Sequence, residues 1–208
     1  MTNKERNQEW KSKCNTFIGK EAGINQATTS RKIAIGYQAA YASSTTSNQG
    51  ERGVYVGCYA GKAASTTTYS MNAIVGDLAA EKCRERNAVV GYLASRGYYY
   101  SSGGAYGHSS LGFQAGFNNY MWYANYNTNL GYDAGTTNSQ GDDNVFIGRQ
   151  SGNFNNSSFG IAIGYLARSD ANCVAIGNQA MTSVANYSQQ CTAIGYRAGY
   201  KMGGGDNK

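Results

Sequence analysis

The chain has 208 residues, enough for one or two ordinary domains, with 28 glycines, 18 tyrosines and no proline. Its net charge of +6 is mild, and its most charged run, Glu81-Lys82-Cys83-Arg84-Glu85-Arg86, mixes both signs, so a nucleic-acid groove is not expected. No apolar run approaches the ~20 residues of a membrane-spanning helix, which argues against membrane insertion.

Residues 1–14 are polar and charged, with Trp10 as the lone large apolar group, and they lack the apolar core of a secretory signal. Two readings stand for this segment: a helix or extended arm docking on another component, or a loosely ordered cap. Residues 15–200 then form one repeat array. A short phrase centred on glycine recurs eleven times, at Gly19, Gly36, Gly57, Gly76, Gly91, Gly112, Gly131, Gly148, Gly164, Gly177 and Gly195, with spacings of 13 to 21 residues. Self-similarity on this scale marks a solenoid, a single quasi-linear unit. It ties the glycine content to architecture and not to disorder.

Each copy follows one pattern. The residue before the glycine is aliphatic, from Ile18 to Ile194, and the residue three before is β-branched in eight copies. Alternate positions of this kind describe a short strand. Glycine after a strand suits a backbone with positive φ or a close approach to a neighbour. Three residues further on stands Ala in ten copies and Ser151 in the other, which fits a second corner with no room for a larger side chain. Asn15, Asn72, Asn87, Asn127 and Asn144 open five copies, and stacked Asn side chains are expected to hydrogen-bond from coil to coil.

Two residues before the glycine the chain reads Phe17, Ala34, Tyr55, Ile74, Val89, Ser110, Asn129, Phe146, Ala162, Ala175, Ala193. This position lies on the opposite face of the strand from its aliphatic neighbours, on the outside of the solenoid, where a strand facing water should be polar. Its apolar character then implies contact with another copy of the chain. Phe17, Tyr55, Ile74, Val89 and Phe146 are the candidate interface residues on this reading.

The full phrase, as in Cys191-Thr192-Ala193-Ile194-Gly195-Tyr196-Arg197-Ala198-Gly199, resembles the heads of trimeric autotransporter adhesins and the related repeats of phage tail fibres. The resemblance covers about residues 15–200, although most copies here carry connectors longer than the family's tight period allows. It implies an all-β fold, a left-handed parallel β-roll of about eleven short coils, and a homotrimer. A bacterial surface adhesin needs export and an anchor, whereas a phage structural protein assembles in the host cytoplasm and needs neither. The virion is therefore the expected location, with other virion structural proteins as partners; the bacterial cell surface is the alternative.

Connectors lengthen at residues 41–52, 62–71 and 96–107. Two successive ones, around Tyr98, Tyr99, Tyr100 and Tyr106, and around Tyr120, Trp122 and Tyr123, are rich in Tyr, Trp, Ser, Gly and Asn. That is the composition of adaptable recognition loops. These seven residues are candidate contacts to a host-surface glycan or receptor; the competing reading packs the rings over the roll or across the trimer. A further row, Tyr37, Tyr92, Phe113, Tyr132, Tyr165 and Tyr196, follows the glycines and is expected to stack between coils. Residues 201–208, with Gly203-Gly204-Gly205, read as a flexible tail or a hinge.

Catalytic chemistry finds little purchase. The five cysteines (14, 58, 83, 173, 191) show no CxxC spacing and His108 is the only histidine, so neither zinc nor a nucleophile–His pair is expected. The 12 acidic residues fall singly or in turns, without the carboxylate pair of a glycosidase. Thr66-Thr67-Thr68 is not echoed in other copies, which argues against an ice-binding face. No enzyme activity and no cofactor are expected. Cys173 and Cys191 occupy equivalent slots of adjacent copies; stacking at ~5 Å is compatible with a disulfide, while a cytoplasmic origin favours thiols. The expected function is a fibre or adhesin module of a phage particle that attaches to a host surface through the aromatic connectors. The alternative is a non-binding spacer or virion decoration protein.

Overall fold

A computed structural model describes residues 15–24, 31–41, 52–62, 71–81, 86–96, 107–117, 125–136, 141–153, 157–182 and 190–200. The N-terminal segment and the glycine-rich tail lie outside these residues. Eleven short strands follow in order: β1 (Thr16–Ile18), β2 (Lys32–Ile35), β3 (Gly53–Val56), β4 (Asn72–Val75), β5 (Ala88–Val90), β6 (Ser109–Leu111), β7 (Thr128–Leu130), β8 (Val145–Ile147), β9 (Ile161–Ile163), β10 (Val174–Ile176) and β11 (Thr192–Ile194). They form one sheet in sequence order. Neighbours are parallel and aligned on the motif, as in Ala34↔Tyr55, Ile74↔Val89 and Ala162↔Ala175. The chain is a parallel β-solenoid, with no helix among the described residues, as the repeat predicts.

The glycine recurs for two reasons at once. Its φ lies between 120° and 140° in all eleven copies, a region closed to side-chain-bearing residues. It also sits against its equivalent in the next coil: a Cβ added to Gly131 would lie 2.7 Å from the carbonyl oxygen of Gly148. The backbone bends into the left-handed region again two residues after the glycine in every copy, at non-glycine residues such as Gln38, Tyr59, Gln114 and Gln150. Such a residue costs about 1–2 kcal/mol in isolation. Ladder bonds hold it there: the Tyr59 N–H donates to the Tyr37 carbonyl and the Gln150 N–H to the Tyr132 carbonyl, each at 2.8 Å.

The lumen of the solenoid is filled from two columns. One is the small residue three after the glycine, with Ala39, Ala60, Ala94, Ala115, Ala134, Ala167 and Ala180 fully buried. The other is the residue two before the glycine. Tyr55, Ile74, Val89 and Phe146 are at most 1% exposed within the single chain, and half-buried Phe17 packs against the same core. This corrects the sequence-based assignment of these five as interface residues: they point inward and are spent on the fold of one chain. Apolar character on both faces of a strand does not say which face is inside; the fit of volumes does. Wherever this position is aromatic, the residue four after the glycine is itself Gly: Gly23 with Phe17, Gly61 with Tyr55 and Gly152 with Phe146, where an added Cβ would overlap the ring. Where it is Ala175, the same slot holds the buried Met181.

A polar column closes one corner of the lumen, four residues before the glycine. Each Asn there accepts a backbone N–H from the equivalent residue of the next coil through its Oδ1: Asn15 from Lys32 at 2.9 Å, Asn72 from Asn87 at 2.9 Å, Asn87 from His108 at 3.0 Å, Asn127 from Asn144 at 2.9 Å and Asn144 from Gly160 at 2.7 Å. The expected coil-to-coil Asn bonding is present, with the backbone N–H as donor in these five bonds and one bond between side chains, from Asn87 Nδ2 to Asn72 Oδ1 at 3.2 Å. In the last two coils cysteines take these positions, and the Cys191 N–H lies 3.3 Å from Cys173 Sγ.

Candidate interaction surface

With the motif's middle residue inside, its two neighbours must point out. The residue before the glycine therefore builds an outer column of Ile18, Ile35, Val56, Val75, Val90, Leu111, Leu130, Ile147, Ile163, Ile176 and Ile194, without one polar member. Ile18, Val90, Leu111, Leu130 and Ile194 are between 41% and 68% exposed. Beside it runs a second column in which Ile33 and Val54 are also exposed and Val145, Ile161 and Val174 half-buried. At one coil per ~4.8 Å the stripe is roughly 50 Å long. A contiguous aliphatic face of that length exceeds the apolar patches ordinary on monomeric proteins. Alternation alone did not reveal it; the pairing of large inner rings with Gly four residues after the motif glycine was the usable signal.

The residue after each glycine supplies a third outer column. Tyr92 and Phe113 stack with centroids 5.4 Å apart and planes at 26°, and Phe113 and Tyr132 at 5.1 Å and 5°. The row predicted from sequence thus forms a ladder where three successive coils supply rings. Elsewhere the neighbours are not aromatic and other contacts replace stacking: Arg149 lies over the Tyr165 ring at 5.1 Å, and Arg197 over Tyr196 at 5.3 Å. Tyr37 meets Tyr59 edge-on at 5.2 Å. Near it Lys62 Nζ sits 4.6 Å from the Tyr59 centroid and donates to Gln38 Oε1 at 2.7 Å, while Gln38 Nε2 donates to the Glu21 carboxylate.

Arg96 pairs with Glu81 at 2.7 Å. Burial raises the Asp133 carboxyl above the usual range, against the opposing pull of a Gln150 hydrogen bond and the Arg149 charge. Among the described residues no group of three or more His, Cys, Asp or Glu is placed to hold a metal ion, and no helix is long and apolar enough to cross a membrane. His108 is buried in the lumen corner, its backbone N–H bound to Asn87. Tyr98, Tyr99, Tyr100, Tyr106, Tyr120, Trp122 and Tyr123 all lie outside the described residues. The ends of their connectors are in place, with Arg96 and Gly107 bounding one and Phe117 and Asn125 the other.

No protein-family model, no curated protein and no solved structure matches this chain.

Proposed function

We propose that the protein is a structural fibre or adhesin module that self-associates along its outer strand face. The observation that supports this is the unbroken aliphatic column from Ile18 to Ile194, open to solvent over much of its length. Joining such faces between copies removes the apolar stripe from water at about 25 cal/mol per Å². The number three, the left-handed sense of the coil and the setting in a phage particle come from the resemblance to autotransporter heads and tail fibres. In this reading the module contacts other virion structural proteins along the particle. The connectors carrying Tyr98–Tyr100, Tyr106, Tyr120, Trp122 and Tyr123 make the contact with a host-surface glycan or receptor. A trimer presents three weak sites at once, and avidity does the rest.

A spacer without a ligand is the second reading, and one observation favours it: the described rings Tyr92, Phe113 and Tyr132 stack on one another, which consumes their faces in packing. Two measurements separate the readings. Sedimentation of the purified chain should give a trimer at micromolar concentration, and Leu111→Lys should reduce it to monomer without unfolding it. A stable wild-type monomer would overturn the association. Tyr99→Ala with Trp122→Ala and Tyr123→Ala should abolish adsorption to host cells while the assembly persists; adsorption that survives leaves the spacer.

A further inference from the structure

The polar column at the lumen corner changes chemistry at the C-terminal end. Asn fills the slot in five copies, but in the last two it is Cys173 and then Cys191. The pair is in register: Val174 pairs with Thr192 immediately after them, and the Val174 N–H donates to the Cys191 carbonyl at 2.8 Å. Parallel neighbours at ~4.8 Å fall inside the Cα separation a disulfide spans. Cys173 Sγ accepts the Cys191 N–H of the next coil at 3.3 Å and donates to the Ala171 carbonyl at 3.4 Å. Both side chains are at most 1% exposed and are thiols in this structure.

The surroundings show what a bond there would do. A thiol is a weak acceptor, so this corner is tied less firmly than the Asn corners. The core cluster of the two coils is built from Cys173, Ala175, Ala180, Met181, Cys191 and Ala193, with Met181 its only large member. β11 is hydrogen-bonded on one edge only among the described strands. Small core, weak corner and open edge coincide at one place.

We propose that Cys173 and Cys191 are an intrachain disulfide site that closes when the protein meets an oxidising medium containing small disulfides, stapling β10 to β11. The terminal coil opens first and releases Cys191. Its thiolate attacks a small disulfide, forming a mixed disulfide and expelling one small thiolate. When the coil closes, the Cys173 thiolate attacks Cys191 Sγ and expels the second. The chain loses two protons and two electrons, which leave as two small thiols. Burial pushes the Cys173 thiol up, so this second step draws on the brief period before the corner is sealed again.

The test uses the full-length chain in a Cys14→Ser, Cys58→Ser, Cys83→Ser background, incubated with oxidised glutathione and followed by intact mass, peptide mapping and amide exchange. The expected product is lighter by two hydrogens, carries no glutathione, and yields a joined Cys173–Cys191 peptide. Exchange at Thr192–Ile194 should slow by on the order of tenfold or more and return to its former rate with reductant. The further variant Cys191→Ser should show neither change. Stable glutathione adducts, bridges between chains, thiols that persist while the denatured chain oxidises, or a bridge that leaves exchange unchanged would each overturn the proposal.

Discussion

At the scale of single residues, two positions show how little freedom the coil allows. Gly131 combines a φ of 137° with a carbonyl oxygen 2.7 Å from where a Cβ would sit. Gly131→Ala is therefore strained by conformation and by contact, and neither neighbour can withdraw because both are backbone. A loss of about 2–4 kcal/mol is expected, read as a lower urea midpoint. Lys32 is the opposite case, a long cationic side chain in the Asn column with no solvent exposure. Burial lowers its pKa from 10.5 to about 7. Between those values the unfolded chain holds a proton that the folded chain has given up, so stability rises with pH across that window, by at most about 1.4 kcal/mol per unit. Below about pH 7 the full penalty of the buried charge is in place. Lys32→Met should stabilise the protein most near about pH 6 and least near about pH 11, and thermal melts across that range check the sign.

At the scale of the strand, the question is which side faces in. The phased recurrence of aliphatic residue, glycine and Ala was enough to place eleven strands, because those residues answer to backbone conformation and to the next coil. The inward face was not legible from polarity, since Val89 and Val90 are equally apolar and opposite in fate: one is fully buried, the other 45% exposed. Volume was legible. Phe17, Tyr55 and Phe146 each come with a glycine six residues later, at Gly23, Gly61 and Gly152, and only side chains sharing a narrow lumen need that exchange. The connectors offered no such constraint: their lengths differ from copy to copy, so composition was the sole guide to Tyr98–Tyr100 and Trp122. The strand faces can be told apart by charge. Val89→Lys buries an ammonium in the lumen and should cost about 3 kcal/mol or more, or prevent folding. Val90→Lys places it in water and should leave the monomer's urea midpoint within about 0.5 kcal/mol of wild type while weakening association. Equal destabilisation by the two would mean that both faces are core.

At the scale of the whole molecule, the core is not continuous. One apolar cluster runs from Phe17 and Ala22 to Ala94, another from Ala134 to Ala167, and a third holds the C-terminal coils. Between the first two, the inner column turns polar at Ser110 and Asn129. There Ser95 Oγ donates to Ser110 Oγ at 2.7 Å and Asn129 Nδ2 donates to the same oxygen at 3.2 Å; Asn129 Oδ1 accepts nothing among the described residues. In a solenoid each coil touches only its neighbours, so stability is close to a sum of local terms and a weak step divides the array. The node should mark the boundary between two blocks that exchange their amides at different rates. Its energetics follow from Ser110 serving both donors. Ser110→Ala alone removes the acceptor that the Ser95 hydroxyl and the Asn129 amide share and should cost about 1–3 kcal/mol. Ser95→Ala, Ser110→Val and Asn129→Leu together replace the three polar side chains of the node and leave an apolar step like the Ile74–Val89 step above it. That triple variant should recover the loss and exceed the wild-type melting temperature, although each change touches the same few atoms. Its amide exchange should also show one cooperative block from β4 to β8. A triple variant no more stable than Ser110→Ala would mean that the polar node holds its coils together instead of dividing them.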